Sequence, residues 1–163
     1  SELQRALDVM VVDTAAGISD SVSMFAAAAD DVLLVVCDEP ASITDAYAMA
    51  KVLSRDFGVK RLHMVANMVR NLGEARALHQ KLARVTDRFL DVMLDFMGWV
   101  PQDERLRQAI RRQNAVVDMA PGSRSSQAFK QLAGAADTWA EPDRQGLGRI
   151  AFFSGQAAPA TGW

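Results

Sequence analysis

Val32-Leu33-Leu34-Val35-Val36-Cys37-Asp38-Glu39-Pro40 is a short, β-branched apolar run that stops at a charged, proline-containing turn. A run with no polar residue inside it reads as a strand buried on both faces, the kind that parallel sheets use. Directly after it, Ile43, Ala46, Tyr47, Ala50, Leu53 and Phe57 recur at spacings of three and four, so they share one face of a helix. Thr44 and Asp45 fall on the solvent side of the same helix.

This strand-then-helix unit repeats outward in both directions. Leu62 to Ala66 and, less regularly, Met93 to Val100 read as further strands, and Leu72, Ala75, Leu78, Leu82, Val85 and Phe89 line a helix between them. Leu106, Ala109 and Ile110 begin another helix after Pro101, and Phe129, Leu132, Ala133, Ala136 and Trp139 make the last one, after the turn dipeptide Pro121-Gly122. Upstream, Leu7-Asp8-Val9-Met10-Val11-Val12 reads as the first strand, delivering Asp13 to the sheet's C-terminal edge. Parallel neighbours need long connections and helices supply them, so the expected fold is α/β: a partial doubly wound, mostly parallel sheet with flanking helices. No internal repeat is visible.

Composition narrows the class. With 163 residues, half of them hydrophobic, the chain can bury one core. The 18 basic against 20 acidic residues create no global field for nucleic acid or an acidic membrane. Cys37 is the single cysteine, so no disulfide framework exists; a reducing cytosol fits, and the thiol reads as a small core group. No apolar stretch reaches the roughly 18–20 residues of a membrane span, and the start at Ser1 lacks a secretion signal. The expectation is a cytoplasmic protein. Because the chain begins without Met and in mid-pattern, it is also expected to be part of a longer one.

Val11-Val12-Asp13-Thr14-Ala15-Ala16-Gly17-Ile18-Ser19 carries the first candidate chemistry. In P-loop NTPases an Asp at a strand end holds the Mg²⁺ that bridges the phosphates, through water, and a nearby Gly lets the following loop sense the γ-phosphate. An ordinary strand-to-helix turn has the same look. His63 and His79 are too far apart for a helical metal pair and read as structural. Arg105, Arg107, Arg111, Arg112, Arg124 and Lys130 read as a solvated basic face, the alternative being a dock for an acidic partner.

Several segments in order resemble one family. Asp13 to Ser19 is similar to the Walker B and switch II segment of MinD/ParA-type P-loop ATPases. Cys37-Asp38-Glu39-Pro40-Ala41-Ser42-Ile43-Thr44-Asp45-Ala46-Tyr47 resembles the strand, loop and helix that follow it in the flagellar-number regulators of the FlhG/FleN group. Val65-Ala66-Asn67-Met68-Val69-Arg70 is similar to that group's next strand end, and Gly98 to Ala109 to its Pro-x-Asp loop and helix. The resemblance runs from about Leu7 to Trp139.

The resemblance implies a MinD-like P-loop NTPase fold with ATP and Mg²⁺ as cofactors. It casts Asp13 as the Walker B carboxylate, holding Mg²⁺ through water, and Gly17 with Ile18 and Ser19 as the γ-phosphate switch. Asn67 would read the adenine edge; Pro101, Gln102 and Asp103 would line base and ribose. Asn67 as a strand-end group, Pro101 as a strand terminator and Asp103 as a helix N-cap are the plain alternatives. It also implies an ATP-closed homodimer. The implied partners are a flagellar signal-recognition-type GTPase, switch-complex proteins and a flagellar transcriptional activator, with no direct nucleic acid contact.

The departure from the family is large. These residues contain no glycine-rich loop ending in Gly-Lys-Ser/Thr, no second lysine at its start and no upstream water-positioning Asp. Residues 1–140 are therefore expected to be the C-terminal part of a MinD-like ATPase domain, inactive alone, and residues 141–163 a flexible tail. A non-catalytic dimerisation or partner-binding module is the alternative. Ile150, Phe152 and Phe153 stand where MinD-type proteins carry an amphipathic membrane helix, but Gly155, Pro159 and Gly162 break the match. At most a weak peripheral contact with the membrane's inner face or the cell pole is expected. Iron–sulfur carriers of this class need a Cys-x-x-Cys, which one cysteine excludes.

Overall fold

The apolar runs form their strands where parallel pairing is available. A computed structural model describes residues 9–139. In it β1 (Leu33–Cys37), β2 (Arg61–Val69) and β3 (Met93–Pro101) make a three-stranded parallel sheet in the order β1-β2-β3. Between and around them run α1 (Asp20–Ala28), α2 (Pro40–Phe57), α3 (Leu72–Phe89), α4 (Glu104–Arg111), α5 (Val116–Met119) and α6 (Arg124–Ala136). Among these residues no helix is long and apolar enough to cross a membrane.

Local chemistry sets the helix ends. Pro40 starts α2, where a missing N–H costs nothing, and Gly58 ends it with φ 69°, a conformation in which a side chain would strain. The Asn71 side chain caps α3 by accepting from Glu74 N–H at 2.9 Å, while the Glu74 carboxylate reaches back to Arg70 N–H at 2.9 Å.

Packing then makes the sheet two-sided. Leu62, Met64 and Ala66 of β2, with Leu34, Val36 and Leu94 beside them, are buried under Met49, Ala50 and Leu53 of α2 and Leu78 and Leu82 of α3. On the opposite face α6 lies over β3, and the ring of Trp139, just past α6, stacks on the buried His63 at 4.5 Å between centroids. His63 Nε2 also faces Asp31 Oδ1 at 3.1 Å, and His79 Nε2 donates to the Leu94 carbonyl at 2.7 Å. Both histidines have structural work, and no group of three or more His, Cys, Asp or Glu among the described residues could hold a metal.

The expected first strand is corrected. Leu7 and Asp8 lie outside the described residues, and Val9 to Val12 are irregular and exposed, Val11 to 87%. An apolar run becomes a parallel strand only with a neighbour to bond, and no described strand pairs with it. Among the described residues nothing pairs with the outer edge of β1, and Leu33 and Val35 of its α6-side face are exposed at 40% and 59%. The expected tail from 141 onward lies outside the described residues.

Gly98 is where α6 meets the sheet. A Cβ there would lie 2.7 Å from Leu132 Cδ2, so Gly98→Ala forces Leu132 to move. The expected cost is about 1–3 kcal/mol, because a side-chain tip can yield but φ 159° at this position also disfavours any side chain. Urea unfolding of Gly98→Ala, Leu132→Ala and the double variant tests this: the double variant should lose less than the sum of the singles.

Candidate functional site

Open parallel sheets present ligand-facing groups at the carboxyl ends of their strands, because the chain leaves the ladder there and its loops are free to diverge. Here Cys37 ends β1, Asn67 sits near the end of β2 and Pro101 ends β3. In the ladder Asn67 is opposite Cys37 on one side and Val100 on the other. The edge therefore brings Asn67 near Pro101, Gln102 and Asp103, the residues that the family resemblance casts for base and ribose.

Each strand end is finished differently. At β1, Cys37 N–H donates to Ser42 Oγ at 3.0 Å, and Asp38 pairs with Lys81 of α3 at 3.0 Å. Burial pushes the Cys37 thiol pKa up, Glu39 adds to the rise, and a hydrogen bond with the Asn67 side chain opposes it. The thiol is thus a neutral neighbour of Asn67 rather than a nucleophile. At β3, Pro101 is buried and Gln102 is exposed, its N–H donating to Val69 O at 2.9 Å to close the ladder.

Asp103 is committed to internal hydrogen bonds. Its Oδ1 accepts from Arg105 N–H at 2.8 Å, capping α4, while its Oδ2 accepts from Ser125 N–H at 3.0 Å and Ser125 Oγ–H at 2.9 Å. The Ser125 N–H, foremost, holds this carboxyl below the usual range against the effect of burial; Arg105 N–H, the Ser125 hydroxyl and Arg124 add to it. Arg124 in turn donates to the Arg70 carbonyl at 3.2 Å, so α6 is stitched to the loops after β2 and β3. Sequence reasoning missed Ser125, although the cluster Ser123-Arg124-Ser125-Ser126 after Pro121-Gly122 is a helix-start signal.

Asp13 and Gly17 are not brought to this edge by any described contact. Asp13 lies on the exposed segment before α1 and makes no hydrogen bond or ion pair with another described residue. Gly17 takes φ 104°, a conformation glycine tolerates, with open space around it. Two members of the basic region, Arg107 and Arg111, pair with Glu104, at 3.5 and 3.2 Å.

No protein-family model matches the chain. It is 51% identical over 99% of its length to the antiactivator FleN of Pseudomonas aeruginosa, and spans 58% of that protein. It is 34% identical over 78% of its length to the flagellum site-determining protein YlxH of Helicobacter pylori, spanning 43% of it, and 30% identical over 82% to an uncharacterized ATP-binding protein of Methanocaldococcus jannaschii, spanning 48%. Among solved structures, the MinD cell division protein of Aquifex aeolicus superposes with a TM-score of 0.66 at 21% identity, covering 86% of this chain and 58% of that one. The sheet, its helices and this likeness define an α/β fold of the MinD-like P-loop NTPase class. Within that class the chain belongs to the MinD/ParA-type proteins of the FlhG/FleN group. It spans about half the length of the relatives it matches.

The Asp103 clasp has a pH signature. Asp103→Ala should lower stability by about 1–3 kcal/mol at pH 7 through the lost cap and the unpaired Ser125 donors. Because the folded-state pKa is depressed, that stabilisation is full above the unfolded value of about 3.9 and is lost as pH falls through the folded value. Urea unfolding of wild type and variant at pH 7, 5 and 3 should show the gap hold and then shrink; an unchanged gap at pH 3 would deny the carboxylate this role.

Proposed function

We propose that this chain is the base-binding half of an ATP-dependent, dimerising regulator of flagellar number and placement. The observation that carries the reading is the convergence of Asn67 with Pro101 and Gln102 at the carboxyl edge of adjacent strands. Asn67 offers both a donor and an acceptor, matching the adenine edge. Pro101 supplies an apolar wall, and Asp103, its oxygens occupied, shapes the loop that carries Gln102. The likeness to an antiactivator, FleN, to a flagellum site-determining protein, YlxH, and to an archaeal ATP-binding protein supports regulator and nucleotide alike.

Asp13 is the residue that would hold Mg²⁺. The donor set fits, since Mg²⁺ in nucleotide sites takes one or two carboxylates and fills its shell with water and phosphate oxygens. The ion, when bound, neutralises charge on the phosphates. Gly17, Ile18 and Ser19 form the adjoining switch, where an exposed segment with an open glycine can reposition. Partners of such a regulator are a second copy in the ATP state, a flagellar signal-recognition-type GTPase, switch-complex proteins and a transcriptional activator. Action lies in the cytoplasm and at the inner membrane face or pole.

A second reading, a non-catalytic partner-binding module, is favoured by one observation: these 163 residues include no phosphate-binding glycine-lysine loop. The two readings differ at the open edge of β1. If a further strand and helix of a whole ATPase cover that edge, Val35→Lys should destabilise the whole encoded protein by about 2 kcal/mol or more through burial of an unpaired charge, yet leave residues 1–163 alone within about 0.5 kcal/mol. Equal, small effects in both favour the module.

Within the nucleotide reading, Asp13→Asn and Asn67→Ala should fail at opposite ends of ATP. Asp13→Asn removes a charge from the Mg²⁺ shell, so turnover of the whole protein should collapse while binding without Mg²⁺ persists. Asn67→Ala should weaken ATP binding by about 1–3 kcal/mol and erode its preference over GTP. Equilibrium titration of both nucleotides, with and without Mg²⁺, separates the two; a folded Asn67→Ala with wild-type affinity and preference removes Asn67 from the base site.

A further inference from the structure

Met68 has φ 58°, in a region that side-chain-bearing residues seldom enter, and Gln113 is the other non-glycine residue that does so among those described. Its neighbours show what the conformation accomplishes. Asn67 is paired with Val100 and Val69 with Pro101, so two steps on β2 are matched by one on β3 and Met68 is the extra residue of a bulge.

The bulge resets the alternation of the strand. Leu62, Met64 and Ala66 face the core beneath α2 and α3, and strict alternation would send Met68 there next and turn Val69 away. Instead Val69 is in that core at 2% exposure, and Met68 stands out at the sheet's carboxyl edge at 47%. A large apolar side chain is exposed and a backbone strained to achieve this. Val69 gains its core place and its carbonyl is aimed at Gln102 N–H, while Asn67 keeps the α6-side face next to Cys37.

We propose that the left-handed bulge at Met68 positions Asn67 for base recognition: it fixes the end of β2 between Cys37 and the Pro101-Gln102 turn so that the Asn67 amide is held at the edge. Met68 is a positioning residue here and needs no contact with the nucleotide. The inference rests on the base-site reading of Asn67.

The test replaces Met68 by residues graded in tolerance of positive φ. In the whole encoded protein Met68→Gly and Met68→Asn should keep the ATP-over-GTP affinity ratio within about twofold, and Met68→Val, whose β-branch opposes this conformation, should cut it by about tenfold or more. Met68→Ala, with a smaller penalty, should fall between them and serves if the valine variant does not fold. A second readout is independent of nucleotide: the side-chain amide resonances of Asn67 should stay in place in the glycine and asparagine variants and move in the others. A folded valine or alanine variant with unmoved Asn67 resonances and an unchanged ratio overturns the proposal. If the resonances move but neither these variants nor Asn67→Ala alters the ratio, the base-site reading itself has failed and the bulge is structural only. If Asn67→Ala alters the ratio while valine and alanine, with moved resonances, do not, the base site stands and the positioning role falls.

Discussion

Strand β2 hydrogen-bonds to a parallel neighbour along each edge and is covered on each face, and every other element takes its place from that enclosure. Parallel strands cannot be joined by tight turns, so α2 and α3 must return across the sheet, and they are held there by Leu62, Met64 and Ala66, all at 0% exposure. The opposite face is closed by different means: Gly98 lets α6 approach β3, and His63 receives the ring of Trp139. Small residues at Ala66 and Gly98 set the spacing; polar ones at the strand ends set direction. Among the described residues the enclosure stops at β1, whose outer edge pairs with no described strand, so the packing of the sheet is concentrated around β2 and β3.

The parts legible in the sequence were those governed by period. The runs at Val32, Leu62 and Met93 lack internal polar alternation and became β1, β2 and β3, and the three-and-four spacing from Leu72 to Phe89 matched α3 end to end. Leu7 to Val12 carried the same signal, yet Val9 to Val12 are unpaired, because composition records a preference for a sheet and says nothing of where a partner strand lies. Two helices escaped: α1, whose run Phe25-Ala26-Ala27-Ala28 has too few large residues to mark a face, and α5, of one turn. The candidate site was legible only through the family resemblance, which singled out particular residues at the strand ends. Its geometry was not, because the bulge at Met68 and the Asp103–Ser125 link depend on contacts between distant segments.

Those contacts divide the edge residues by what they have left to offer. Asp103 has Oδ1 and Oδ2 occupied by backbone and hydroxyl donors, and its depressed pKa expresses how far the loop depends on that charge. It serves the fold at the position where the family resemblance anticipates contact with a ligand. Asn67 is half-buried beside Cys37 in the ladder, and the Gln102 side chain is exposed. Polar capacity directed outward therefore sits with Asn67 and Gln102, and Asp103 controls where Gln102 stands.

Asp13 belongs to a different mechanical level. The β2 and β3 ends are tied to α6 by Arg124 and Asp103, so residues there can move only with the sheet. The segment from Val9 to Ala16 is exposed and outside any described strand or helix, and Gly17 after it takes φ 104°, so it can reorganise at small cost. Base selection benefits from groups held rigidly before the ligand arrives, whereas a phosphate-sensing switch must have two arrangements close in energy. On the proposed reading the packed strand ends would hold the base and the segment before α1 would carry the switch, and the change in packing between Ser19 and Val22 separates the two segments among the described residues.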